Sequence, residues 1–296
     1  MNLISRRPLR IALTADLHYG IRTSGDAATQ QLVAHLAETP PDLLLIAGDI
    51  GAGDDFERCL DLFAGLPSRK ALVPGNHDVW VTADDRRGDS LRVYREHLPA
   101  ICGRCGFHYL DHGPLGLLDS DLAICGSMNW YDYSWSIEQL KPIASDWEQR
   151  LRTKRFTCGR HNDFNYVRWQ HTDESFTREA VATLEHHIDE ARDAVGSMLV
   201  VTHHPPFRAL NYPPPAVRAL DDLLWEAFAG NTRLEEVLRA RAERIPLAFC
   251  GHTHCAREGE LAGIRGFNIG GDYHFKRLLW LNWPAGEVSA MQFGPS

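Results

Sequence analysis

Short apolar runs that each stop at an acid, an amide or an imidazole constrain this chain more than any other feature. "LRIALTAD" (9–16), "DLLLIAGD" (42–49) and "KALVPGNHD" (70–78) share this plan. Their hydrophobicity is continuous rather than alternating, which predicts strands covered on both faces. Between them, "DAATQQLVAHLAET" (26–39) and "DDFERCLDLFAGL" (54–66) space Leu, Val and Phe as helices do, with Asp26 and Asp54 expected as caps. The resulting β-α-β-α-β order predicts a largely parallel sheet.

The same logic runs on. "GDSLRVYREHLPAIC" (88–102) reads as a helix, and "FHYLDHG", "LGLLD" and "DLAICGS" read as short strands in hairpin order. An amphipathic helix is expected over 174–194, and further helices over 217–228 and 231–243. "SMLVVTHHPP" and "IPLAFCGHTH" are strands that end in histidines, and "RGFNIGG", "RLLWLNW" and "EVSAMQF" are expected to close the chain as antiparallel-type strands. No internal repeat or low-complexity segment interrupts the order.

Composition narrows the function classes. No stretch approaches the roughly 18 apolar residues that cross a bilayer. The Arg6–Arg7 pair resembles the start of an export signal, but the apolar run behind it is soon broken by Asp16 and His18 without a small-residue cleavage site. A first buried strand and a cytoplasmic protein are the expectation. A net charge of −8 disfavours a broad nucleic-acid surface. The seven cysteines include one C-x-x-C, Cys102 and Cys105, with no second pair, and they read as reduced thiols near a helix end.

Fifteen histidines are the compositional oddity, and their placement matters more than their number. Five predicted strands end in groups able to bind a metal: Asp16 with His18, Asp49, Asn76 with His77, His203 with His204, and His252 with His254. In α/β sheets, sites form beyond the carboxyl ends of strands, so these side chains can converge. One such group is an ordinary loop residue. Five in a row define a site.

In order, "DLH", "GDI", "GNHD", "HHPP" and "GHTH", spread over residues 16–254, resemble the calcineurin-like metallophosphoesterase superfamily. The resemblance implies two mixed β-sheets packed as a sandwich and flanked by helices, in a single domain over 1–296. It implies two divalent or trivalent ions (Mn, Fe, Zn or Co), bridged by Asp49. Asp16, His18 and His254 would hold the first ion, and Asn76, His203 and His252 the second. His203 is preferred to His204 because the family's ligand lies two residues before a proline, here Pro205. The resemblance makes His77 a catalytic residue that binds no metal, and Asp78 would orient it by a hydrogen bond. The implied reaction is in-line attack of a metal-bridging hydroxide on a small phosphate ester, with diesters ahead of monoesters. A phosphomonoesterase or protein phosphatase, a nuclease, and a non-catalytic metal-binding interaction module are the alternatives.

Residues 128–176 lie outside the minimal core. They carry Trp130, Tyr131, Tyr133 and Trp135, and seven Lys or Arg fall between 141 and 168. This segment is a candidate cap that stacks a nucleotide base and meets phosphate. The competing reading is an aromatic cluster packed under a long surface excursion. His161 and His171 fall at no predicted strand end and stay outside the expected metal site. The proline-stiffened loop Tyr212–Pro215 is a second candidate for the rim.

Overall fold

The structure of the protein is a computed structural model that describes residues 7–295, so Arg6 of the Arg pair lies outside the described residues. Twelve strands form two six-stranded sheets. They are β1 Leu9–Thr14, β2 Leu43–Ala47, β3 Arg69–Val73, β4 His108–Tyr109, β5 Leu115–Leu117, β6 Leu122–Ser127, β7 Ser197–Thr202, β8 Leu247–Cys250, β9 Arg257–Leu261, β10 Ile264–Asn268, β11 Lys276–Trp283 and β12 Glu287–Phe293. The first sheet has the order β12-β11-β1-β2-β3-β4 and the second β5-β6-β7-β8-β10-β9.

The continuous apolar runs divide by parity. In β1 and β2, Ile11, Leu13, Leu43 and Leu45 face the opposite sheet and pack with Ile124, Leu199, Val201 and Phe249. The alternate residues Ala12, Leu44 and Ile46 face Leu32, Leu36, Phe56 and Phe63 of the covering helices. Ala123, Met198, Val200 and Ala248 of the second sheet face outward in the same way, onto Leu184, Ile188, Leu234 and Leu238. A strand buried on both faces needs apolar residues at every position, and four layers result.

Several local expectations change. The first helix starts a turn early, at Thr23, and Asp26 caps nothing; its Oδ1 accepts the Gly20 N–H at 2.8 Å. Asp54 is the N-cap residue of the helix Asp55–Asp61, but its side chain makes no capping bond. The helix over 88–102 contains a π-helical turn, Val93–His97, directly before Leu98–Arg104. Pro99 there has no N–H to donate to the carbonyl four residues back, and the wider turn accommodates this. β4 does not join the β5–β6 hairpin; it pairs parallel with β3 in the other sheet. β10 is parallel to β8 and antiparallel only to β9. β9 itself, "REGEL", is a charged edge strand with no apolar run to announce it. All seven cysteines are free, and burial pushes the Cys105 thiol up to about 11.

Candidate metal centre

β1, β2 and β3 run parallel in one sheet, as do β6, β7 and β8 in the other. Asp16, Asp49, Asn76, His203 and His252 therefore leave their strands at one edge of the sandwich. Five of the seven expected ligands, Asp16, His18, Asp49, His252 and His254, have φ between 43° and 73°. Left-handed backbone costs about 1–2 kcal/mol for a residue with a Cβ, and such strain gathers at functional sites. The motif glycines supply the remaining room. A Cβ on Gly75 would stand 2.1 Å from Asp49 Oδ1, and one on Gly48 2.4 Å from His203 Nδ1.

Asp49 stands at the centre with an oxygen toward each group of imidazoles. Its Oδ2 lies 3.5 Å from His18 Nε2, and its Oδ1 lies 3.3 Å from His203 Nε2. On the first side, His18 Nε2 approaches His254 Nε2 at 2.9 Å, and His254 Nε2 is 3.9 Å from Asp16 Oδ1. Donor atoms of Asp16, His18, Asp49 and His254 all lie within 4.8 Å of one another. On the second side, His203 Nε2 lies 3.0 Å from Asn76 Oδ1, and the His252 ring centroid is 5.1 Å from that of His203.

These donors fit a cation. The backbone N–H of His252 fixes Asp16 Oδ1 at 2.9 Å, while the buried Oδ2 has no hydrogen-bond partner. The His77 N–H holds Asp49 Oδ1 in the same way, at 2.9 Å. His203 uses Nδ1 on the Ala47 carbonyl at 2.9 Å, which turns its Nε2 inward as metal-binding imidazoles require. Burial holds His18 and His252 well below the ordinary histidine value, so their rings are neutral and keep a lone pair. Burial opposes ionisation of Asp49, yet His203, His77 and His18 hold its carboxyl well below the usual range. Burial likewise opposes charge on His203, and Asp49 still pushes it up to about 9. Positive charge is favoured at this point, and a metal ion satisfies the same field. His204 turns the other way, onto the His252 ring at 4.0 Å and the Trp130 ring at 5.0 Å. Thr253 turns away between its two histidines and accepts from Asn268 Nδ2 at 2.8 Å.

His77 and Asp78 part company. Asp78 is fully buried and makes no bond to His77. Its Oδ1 accepts the N–H groups of Ile50 and Gly51 at 2.8 and 2.9 Å, and its Oδ2 that of Gly75 at 2.7 Å. Three amides of the turns after β2 and β3 point at the carboxylate and occupy both of its oxygens, while the His77 ring stacks on Trp80 instead. Asp78 thus ties together the loops that carry Asp49 and Asn76. Burial, then the nearby Asp49, raises its pKa to about 7. His77 Nδ1 has no partner; the ring is held by stacking on Trp80, 3.6 Å between centroids, with Nε2 3.9 Å from Asp49 Oδ2. Leaving a buried donor unsatisfied costs about 1–3 kcal/mol. Asp78→Ala is therefore expected to lower the denaturation midpoint markedly and to loosen metal binding. A normal midpoint with only kcat reduced would return Asp78 to service on His77.

Three site residues carry no signal of the strand-end kind. Tyr273 stacks on His18 at 4.4 Å. Lys276, buried at the start of β11, donates to the Asp16 carbonyl at 3.1 Å, and burial brings its pKa down to about 8. Trp80 follows "GNHDV" directly, and an aromatic at that point is the one hint the sequence offers. Within 128–176, Trp130, Tyr131 and Trp135 are wholly buried and Tyr133 nearly so, offering no face to a base. Arg160, His161 and Asn162 do reach the site and line its cavity of about 260 Å³.

The family model for calcineurin-like phosphoesterases matches residues 9–256, and the chain belongs to that family. It is a metal-dependent hydrolase of phosphate esters, with an Asp and His cluster able to bind metal. A search of the curated proteins finds no match. Among solved structures, a phosphopantetheinyl hydrolase from Mycobacterium tuberculosis is 20% identical, with 89% of each chain covered and a TM-score of 0.68. A dimetal phosphatase from Danio rerio is 14% identical, covering 97% of this chain and 99% of its own, with a TM-score of 0.55. A Thermus thermophilus protein is 10% identical over 96% of this chain and 99% of its own, also with a TM-score of 0.55. These likenesses show the fold. Among the described residues no helix is long and apolar enough to cross a membrane.

Proposed function

We propose that this chain hydrolyses phosphodiesters of small organic molecules at a dinuclear metal centre. The observation that carries the reading is Asp49, with one carboxylate oxygen toward His18 and the other toward His203. Asp16, His18 and His254 would hold one ion, Asn76, His203 and His252 the other, with Asp49 between them. Mn, Fe, Zn and Co all suit such oxygen and imidazole donors. Bound there, the pair would supply Lewis acidity and acidify a water molecule.

The chain's own residues do the rest. Asn76 contributes an oxygen without charge, which limits repulsion of an anionic ester. His77, stacked on Trp80, offers Nε2 to the phosphoryl oxygens or the leaving alkoxide; burial lowers its pKa, and the nearby Asp49 and the indole face work against that to favour a positive charge on the ring. Tyr273 covers His18 and restricts the approach of water from that side.

The diester preference is supported by space. His254, Tyr212 and Trp225 border both the metal cavity and a neighbouring cavity of about 690 Å³, walled by Pro213, Pro214 and Pro215. Tyr212 and Trp225 are half exposed there. An ester can thus place its phosphorus by Asp49 and an organic group against these rings. The cap role within 128–176 belongs to Arg160 and its neighbours at the mouth. With Mn²⁺-loaded protein, bis(p-nitrophenyl) phosphate is expected to be cleaved with higher kcat/KM than p-nitrophenyl phosphate. The reverse order would make the protein a monoesterase, and activity falling steeply with salt on DNA would make it a nuclease.

A further inference from the structure

Asp163 comes from the segment outside the minimal core, yet it is completely buried beside the metal centre. Its Oδ1 accepts the side-chain N–H of Asn76 at 2.9 Å and the indole N–H of Trp80 at 2.8 Å. Its Oδ2 accepts the Tyr131 hydroxyl at 2.8 Å and lies 3.2 Å from His161 Nδ1. A buried carboxylate is costly unless hydrogen-bonded and paired, and these donors meet that requirement.

An ionised carboxylate can only accept. Asn76 must therefore turn its NH₂ toward Asp163 and its Oδ1 the other way, where Oδ1 stands 3.0 Å from His203 Nε2. A free amide could flip and point two N–H donors at a cation. The same Asp163 oxygen pins the indole on which His77 stacks. The Val81 N–H bonds the Tyr166 carbonyl at 2.9 Å, so the two stretches of chain run locked together behind the site.

We propose that Asp163 is a positioning residue: it fixes the Asn76 amide with its oxygen toward the metal and, through Trp80, sets the His77 ring. The segment 128–176 would then act on the chemistry from behind the site as well as at its mouth. This proposal rests on the dinuclear reading above.

The test is Mn²⁺ binding to the whole chain, followed by calorimetry and by the electron paramagnetic resonance of a coupled ion pair. Wild type is expected to take up two ions. Asp163→Asn is expected to keep the ion on the Asp16, His18 and His254 side and to bind the second about 10–100-fold more weakly, the usual effect of losing a ligand's hydrogen-bond partner. At intermediate Mn²⁺ it should show an uncoupled signal where wild type shows a coupled one. Tyr131→Phe, which removes a different donor from the same carboxylate, should leave both ions bound as in wild type. Unchanged binding of the second ion by Asp163→Asn, or equal weakening of both, overturns the proposal. Wild type taking fewer than two ions overturns the dinuclear reading and this proposal with it. If Asp163→Asn does not fold, a crystal structure of the metal-loaded wild type decides: Asn76 Oδ1 on the ion with Nδ2 on Asp163 supports the assignment, and an amide turned from Asp163 overturns it.

Discussion

Asp49→Asn is expected to abolish hydrolysis and to reduce the metal content below two ions per chain. The substitution keeps the shape of the side chain and removes one charge and one acceptor oxygen. Imidazoles on both sides of the site, His18, His77 and His203, are arranged around that charge. His18 and His203 sit 3.5 and 3.3 Å from its two oxygens, and the His77 amide holds it in place. An Asn would also aim an NH₂ group at one of the two ion positions. The loss should therefore fall on both ions, whereas a change at Asn76 or His254 should weaken one. Elemental analysis and kcat/KM on the same preparation check this. A fully loaded Asp49→Asn protein would show that Asp49 is not the bridge.

His77→Ala is expected to keep both ions and lower kcat by roughly 10²–10⁴, the range for a positioned proton donor or charge stabiliser. The ring touches the site from outside the ligand set, with Nε2 3.9 Å from Asp49 Oδ2. Since Trp80 rather than Asp78 supports it, Trp80→Ala should lower kcat in the same direction by a smaller factor, with His77 still present but unsupported. The leaving group separates the two roles open to His77. A loss that grows as the leaving group becomes more basic makes it the acid. A loss independent of leaving group makes it a stabiliser of phosphoryl charge. Loss of metal from His77→Ala would instead make it a ligand.

The central parallel strands could be read from the residues because they are buried on both faces, which leaves continuous apolar runs such as "LLLIA" in β2, whereas the two-sheet sandwich was implied only by the family resemblance. The candidate ligands could be read because parallel strands deliver their ends to one edge. Elements that depend on neither rule escaped. β9 is a charged edge strand, and β4 is two residues long. Asp163 is a single acid between Asn162 and Phe164, with nothing periodic around it; only tertiary contacts give it meaning. The expected Asp78 to His77 bond failed because adjacency in sequence says nothing about which amides a turn will aim at a carboxylate. The aromatic run at 130–135 was ambiguous for a related reason: rings that stack a ligand and rings that fill a core have the same composition. Here Trp130 and Trp135 are fully buried, and the core claims them.

Loops from five strand ends are proposed to build one dinuclear centre around Asp49. Anomalous diffraction from crystals of the Mn²⁺-loaded wild-type protein tests it most directly. The expected result is two peaks about 3.5–4 Å apart, with one Asp49 oxygen on each ion, Asp16, His18 and His254 on the first, and Asn76, His203 and His252 on the second. A single peak, or two ions held without Asp49 between them, would contradict it.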